Sequence, residues 1–196
     1  MRHTEADWNR EGRYLGRSDR PLTPRGRRRA EALARRLAAL RPESVWSSGL
    51  RRTDHLADAL AARGAPRPRR DPRWAELDHG RWEGLTWAEV ETRFPAAARR
   101  RWADPWRSRA HGGESLAGLW RRIESALREL RSRQPGGRAL VVTHAGPVQL
   151  LVCHALGAPL GSWSRVRIAT GGVARIDLWR GGCALVSLNA TPGAAA

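Results

Sequence analysis

Ala139-Leu140-Val141-Val142-Thr143-His144, followed by Ala145-Gly146, is the stretch on which the fold turns. Its apolar run is short, follows the turn signal Pro135-Gly136-Gly137, and has the length of a buried strand rather than a helix. The strand arrives directly at a histidine. In an open α/β sheet the carboxyl ends of the strands face the ligand crevice, so His144 is a candidate site residue. A ring that merely caps a backbone carbonyl is the plainer alternative.

Working outward, apolar residues resume from Val148 to Leu156 as a helix ended by Gly157 and Pro159. Upstream, a long helix is expected from about Ser115 to Arg131. Pro24 and Gly26 open another, in which Ala30, Leu33, Ala34, Leu37 and Leu40 return at helical spacing. A strand at Ser44 to Ser48 and a helix over Arg51 to Ala62 follow, with Gly64 as the stop. From Trp74 to Gly113 tryptophans, glycines and prolines mix around one short helix near Thr86 to Arg93. Such an irregular insertion often walls a site. Val173 to Trp179 and Cys183 to Leu188, joined by Arg180-Gly181-Gly182, read as a hairpin at a sheet edge. The alternation predicts an α/β fold in one domain, residues 1–196: a three-layer α/β/α sandwich around a mostly parallel mixed sheet.

Composition removes several classes. The 196 residues are 41% hydrophobic, which argues against disorder, and no eighteen apolar residues run together to span a membrane. Met1 to Trp8 carries Arg2, His3, Glu5 and Asp7, unlike a secretory signal, and a cytoplasmic address is expected. Cys153 and Cys183 read as small buried hydrophobes and show no zinc spacing, so neither metal nor cofactor is expected. The formal charge is +17 and all 36 basic residues are arginine. They are scattered among alanines along helical stretches with no nucleic-acid-binding signature, so no specific nucleic-acid partner is expected. The ten tryptophans are assigned to packing before any stacking role. Of the other histidines, His79 and His111 are candidates to touch substrate, whereas His154, on an apolar helix, reads as a core residue.

The opening, Arg2-His3-Thr4-Glu5, sets an arginine beside a second histidine, with Asn9 shortly after. Alone, such a dipeptide would read as a solvated tail. It is followed in order by Arg13-Tyr14-Leu15-Gly16 with Pro21-Leu22-Thr23-Pro24-Arg25-Gly26, then by Ser47-Ser48-Gly49-Leu50-Arg51-Arg52. Glu76-Leu77-Asp78-His79-Gly80-Arg81-Trp82-Glu83-Gly84 comes next, and finally Val142-Thr143-His144-Ala145-Gly146. These stretches together resemble the histidine phosphatase superfamily, which includes cofactor-dependent phosphoglycerate mutase and broad acid phosphatases. Weaker echoes are Gly113-Glu114-Ser115 and Leu188-Asn189-Ala190-Thr191.

The resemblance implies that His3 is the nucleophile, that Arg2, Asn9, Arg52, His144 and the Ala145 position bind phosphate, and that Glu76 is the proton donor. The residue types suit that chemistry. Arginine forks match phosphoryl oxygens bidentately, imidazole is nucleophilic at neutral pH, and a carboxyl can protonate the departing alcohol and then activate water. The expected activity is metal-independent hydrolysis of a small phosphorylated metabolite by a monomer or homodimer. Candidate substrates are phosphoglycerate, sugar phosphates and α-ribazole phosphate. Phosphoglycerate mutase-like transfer is the first alternative, disfavoured by the short stretch between Glu76 and His144. A non-catalytic nucleic-acid-binding domain is the second.

Two departures from the family pattern, Thr4 and Ala145 at usual glycine positions, are read as tolerable. A third concerns the strand that normally leads into the Arg-His pair, of which only Met1 is present. The first central strand is therefore expected to be truncated, with Met1 to His3 held on one side only beside an open groove, and the natural start is expected upstream.

Overall fold

The computed structural model describes residues 1–190; Thr191, part of the last echo, lies outside them. Helix α1 (Pro24–Ala38) starts where the sequence dictates. Thr23 accepts the Gly26 N–H through its side chain, and Pro24 at the first helical position has no amide to leave unsatisfied. Strand β1 (Ser44–Ser47) and helix α2 (Arg51–Ala61) follow, then a two-residue strand β2 (Arg69–Arg70). The middle segment holds α3 (Trp87–Arg93), opened by a Thr86–Glu89 capping box, and α4 (Pro95–Ala103). The long helix α5 (Leu116–Arg133), strand β3 (Ala139–Val142) and helix α6 (Ala145–Ala155) complete the centre. Strands β4 (Val173–Trp179) and β5 (Gly182–Ala190) close the described chain.

The sheet runs β2-β1-β3, all parallel, with Ser44 to Ser47 in register with Ala139 to Val142. Alternation of side chains decides the layers. Val45 and Val142 join the core with α1 and α2, whereas Trp46 and Val141 join the core with α5 and Leu150 of α6. Helices therefore cover both faces, as the three-layer expectation requires. Fully buried Leu116, Leu119 and Ile123 anchor α5, each contributing about 1.5–3 kcal/mol of burial.

The structure corrects four readings. The hairpin β4-β5 forms its own two-stranded antiparallel sheet, packed on α6 through Ala174, Leu185 and Leu188. Helix α4 lies within the segment read as irregular; Pro95, a breaker inside a helix, here occupies its first position. His154 is exposed, its ring against Trp120 at 5.0 Å, and is not a core residue. Most consequential for the site, Met1 to His3 is held on both sides. Toward β3, the Met1 amine donates to Val141 O (2.6 Å), Thr143 N–H to Met1 O (2.8 Å) and His3 N–H to Thr143 O (2.9 Å). On the other side Arg2 N–H donates to Gly172 O (3.0 Å) and Gly171 N–H to His3 O (2.8 Å). What fills the expected groove is the turn before β4. Gly171 takes a φ of 71° there, and the Asn189 carboxamide fixes the turn by bonding Ala169 N–H and Arg167 O.

Candidate active site

The two histidines meet at the carboxyl end of β3, ring centroids 5.2 Å apart and nearly edge-on. Both are buried, and their partners fix their tautomers. His3 Nδ1 lies 2.6 Å from Thr4 O, and a carbonyl can only accept. Nδ1 therefore carries the proton and Nε2 the lone pair. Thr4, at a position the family reserves for glycine, donates its own hydroxyl to Gly26 O at 2.9 Å and so ties this carbonyl to α1. Gly26 is required for that approach, because a Cβ there would run into Glu5 O.

His144 is held by both nitrogens. Arg52 Nε, which can only donate, is 3.2 Å from His144 Nδ1. Nδ1 therefore accepts, and Nε2–H donates to Ser48 Oγ at 2.8 Å. The chain of donors continues from Ser48 to Thr53 Oγ1 (2.8 Å) and from Thr53 to Leu50 O (2.8 Å). As it stands, His144 has no ring N–H free for a phosphoryl oxygen. The donor role expected of it needs a second proton on Nδ1.

Arg52 is fully buried on α2, its terminal nitrogens donating to Gly16 O (2.5 Å) and Ser18 O (2.9 Å). That loop is itself held by Glu83, whose carboxylate accepts the Arg17 and Ser18 amides at 2.6 Å each. Two guanidinium protons of Arg52 are left for a ligand. Arg2 donates to Ile168 O at 2.8 Å, and its buried Nε has no protein partner. The surroundings set the charges. Burial first, then Arg52 and Arg2, holds His3 well below the usual histidine range; burial, Arg52 and His3 do the same to His144. Burial pushes Arg52 down to about 10, against the pull of Glu76, so it stays cationic at neutral pH. The site at pH 7 is thus two neutral imidazoles between two cations.

Glu76, in the loop after Trp74, sets its carboxylate against the start of α6. Its carboxylate accepts Gly146 N–H at 3.1 and 3.2 Å and Leu77 N–H at 2.8 Å. A Cβ at residue 146 would collide with Glu76 Oε1, so the glycine of the Thr-His-Ala-Gly turn makes room for the carboxylate. In the first turn of α6, Gly146 N–H is taken by Glu76, residue 147 is proline, and Val148 N–H bonds His144 O. Among the described residues, the Ala145 amide is the one in this turn left without a hydrogen-bond partner. Arg122 fixes the backbone of Glu76. It donates to Arg73 O (2.8 Å), Ala75 O (2.6 Å) and Glu76 O (2.8 Å) while paired with Glu114 at 2.8 Å.

The structure therefore brings together His3, His144, Arg2, Arg52, Glu76 and Ala145. Asn9 is not tied into this network among the described residues; its Oδ1 accepts Ala6 N–H at 2.9 Å and shapes the loop after the opening motif. His79 is partly buried, with its ring 4.7 Å from Tyr14, and His111 is exposed. Sequence reasoning gave no role to Ser48, Thr53, Glu83 or Arg122. The first three lie inside or beside the quoted motifs, so their signal was present; nothing in the sequence singles Arg122 out from the other arginines.

A family model described as histidine phosphatase superfamily (branch 1) matches residues 1–191. The chain belongs to this superfamily. Phosphoserine phosphatase 1 of Hydrogenobacter thermophilus is 35% identical over 84% of this chain and 78% of that protein. A probable phosphoglycerate mutase of Cronobacter sakazakii is 33% identical over 90% of this chain and 82% of that protein. Among solved structures, the α-ribazole phosphatase of Shigella flexneri superimposes with a TM-score of 0.89 at 26% identity, covering 100% of this chain and 97% of that one.

Proposed function

We propose that this member of the superfamily hydrolyses a small phosphate monoester through a phosphohistidine on His3, with no metal ion. The observation that carries the proposal is the His3 tautomer. With Nδ1–H committed to Thr4 O, Nε2 presents its lone pair in a site flanked by Arg2 and Arg52. The two cations meet the charge of the phosphoryl oxygens where a metal ion would otherwise be called on. In-line attack by His3 Nε2 forms the phosphorus–nitrogen bond as the ester oxygen leaves. Glu76 supplies the proton to that oxygen and then takes one from the attacking water. His144 acts on the transferring group through Arg52, whose Nε–H its Nδ1 accepts.

Relatives bearing both phosphatase and mutase names keep phosphoryl transfer as the second reading. The nucleic-acid reading is not favoured, because exposed arginines lie on α1, on one face of the sheet, and on α5, on the other. A panel of phosphate monoesters assayed with a chelator present decides between the first two. Release of inorganic phosphate is expected; interconversion of 3- and 2-phosphoglycerate with negligible phosphate release would contradict it.

A further inference from the structure

Glu76 sits on a loop, between the short 3-10 turns Pro72–Trp74 and Gly80–Trp82. Such a segment does not by itself hold an acid–base group steady. The carbonyls of Arg73, Ala75 and Glu76 nevertheless all meet one side chain of α5. Arg122 Nη1 donates to Arg73 O at 2.8 Å and to Ala75 O at 2.6 Å, and Nη2 donates to Glu76 O at 2.8 Å. Nη2 and Nε also donate to the Glu114 carboxylate, at 2.8 and 2.9 Å. A guanidinium has five N–H groups, so none is left for a ligand. Further along the same face of α5, Arg73 donates to Ser125 Oγ at 3.1 Å and pairs with Glu129.

The Glu76–Leu77 peptide is where this clasp bears on the site. Its C=O is held by Arg122, while its N–H, that of Leu77, donates to Glu76 Oε1 at 2.8 Å. In a trans peptide the two groups point in opposite directions. Drawing the carbonyl toward α5 therefore aims the amide at the carboxylate, which also accepts Gly146 N–H. An arginine set on the carboxylate itself would hold it ionised and unable to give up a proton. Arg122 bonds main chain instead, with its own charge met by Glu114.

We propose that Arg122, anchored by Glu114, is a positioning residue for proton transfer: through the Glu76–Leu77 peptide it sets where the Glu76 carboxyl stands. This role rests on the reading of Glu76 as proton donor. As His3 Nε2 attacks, the phosphorus–oxygen bond breaks, its electron pair goes to the ester oxygen, and that oxygen takes the Glu76 proton. A displaced carboxyl fails only the leaving groups that need the proton.

Two aryl phosphates of similar shape separate this from a general loss of structure. p-Nitrophenolate departs without a proton, whereas phenolate needs one. kcat/KM covers only the steps up to the phosphohistidine, so the p-nitrophenyl-to-phenyl ratio of kcat/KM reads the protonation of the leaving group. Glu76→Gln should raise that ratio most. Arg122→Lys keeps the charge beside Glu114 but cannot serve three carbonyls at once, and should raise it about tenfold. Glu114→Gln, isosteric and gentler on the fold, should raise it by a smaller factor. Glu129→Gln loosens Arg73 on the same helix and should leave the ratio at its wild-type value, whatever it does to the melting temperature. Loss of both activities by one factor in Arg122→Lys and Glu114→Gln, or no loss in either, would overturn the positioning role. A ratio unchanged in Glu76→Gln, or a wild-type protein that hydrolyses neither ester, would instead strike the proton donor or the phosphatase reading itself, and this role with it.

Discussion

Met1 to Thr4 and Thr143 to Gly146 each bring one histidine to the same point, yet they hold it differently. The first segment fixes His3 through one ring nitrogen and a backbone carbonyl, leaving Nε2 uncommitted. The second fixes His144 through both nitrogens, between the guanidinium of Arg52 and the Ser48-Thr53 hydroxyls. Two rings of identical chemistry are thereby given different work. A ring with an open lone pair can form and break a bond, whereas a ring held at both ends can hold charge in place. The contrast also explains why so many motif residues lie outside the reacting atoms, since Ser48, Glu83 and Gly16 exist here to keep Arg52 and His144 where they are.

Removing each element in turn tests the contrast. His3→Ala deletes the open lone pair, and phosphate release should fall at least about a thousandfold, the scale of losing a covalent nucleophile; a variant retaining a tenth of wild-type turnover would break the comparison. Arg52→Lys keeps the charge but loses both the fork and the Nε bond to His144. Steady-state kinetics should show kcat/KM lower by about tenfold or more, and wild-type values would place Arg52 outside the site. Ser48→Ala leaves His144 Nε2–H buried without its acceptor. Unfolding by denaturant should show a loss of about 1–3 kcal/mol, and kcat should fall severalfold with little change in KM. An unaffected kcat would reduce the hydroxyl relay to packing.

A further effect concerns pH. His3 and His144 have folded pKa values depressed by burial, and burial with Arg101 pushes His79 down to about 3. Below the ordinary histidine pKa of about 6.5 the unfolded chain takes up protons that the folded chain refuses. Stability is thus full above that pH and declines as pH falls toward the folded values. Each ring contributes at most about 1.4 kcal/mol per pH unit. Melting temperatures should fall from pH 7 to pH 5, and less steeply in His3→Ala. Equal slopes in the two proteins would show that His3 titrates normally.

The layers and the ordered motifs were legible in the sequence because each depends on local pattern: strand apolarity at Val141-Val142, helical spacing through Leu33 and Leu37, and glycines at close approaches such as Gly26 and Gly146. Pairings between distant segments were not legible. Nothing local announces that Gly171 and Gly172 complete the backbone bonding of Met1 to His3, or that Arg122 serves the backbone of Glu76. Asn9 spends its Oδ1 on Ala6 N–H in the loop, a bond that leaves the Nδ2 donors expected to meet phosphate uncommitted among the described residues. His154 was misplaced because an apolar run hides which face of a helix meets solvent when most of its neighbours are apolar.

The central claim is that the uncommitted nitrogen of His3 makes the covalent bond. Wild-type protein mixed with phosphate-labelled substrate and quenched rapidly without acid should carry label that is stable to base, labile to acid, and located on His3 by peptide mapping. The label should be absent from His3→Ala. Turnover with no trapped label, or label recovered on His144 or Glu76, would contradict the account.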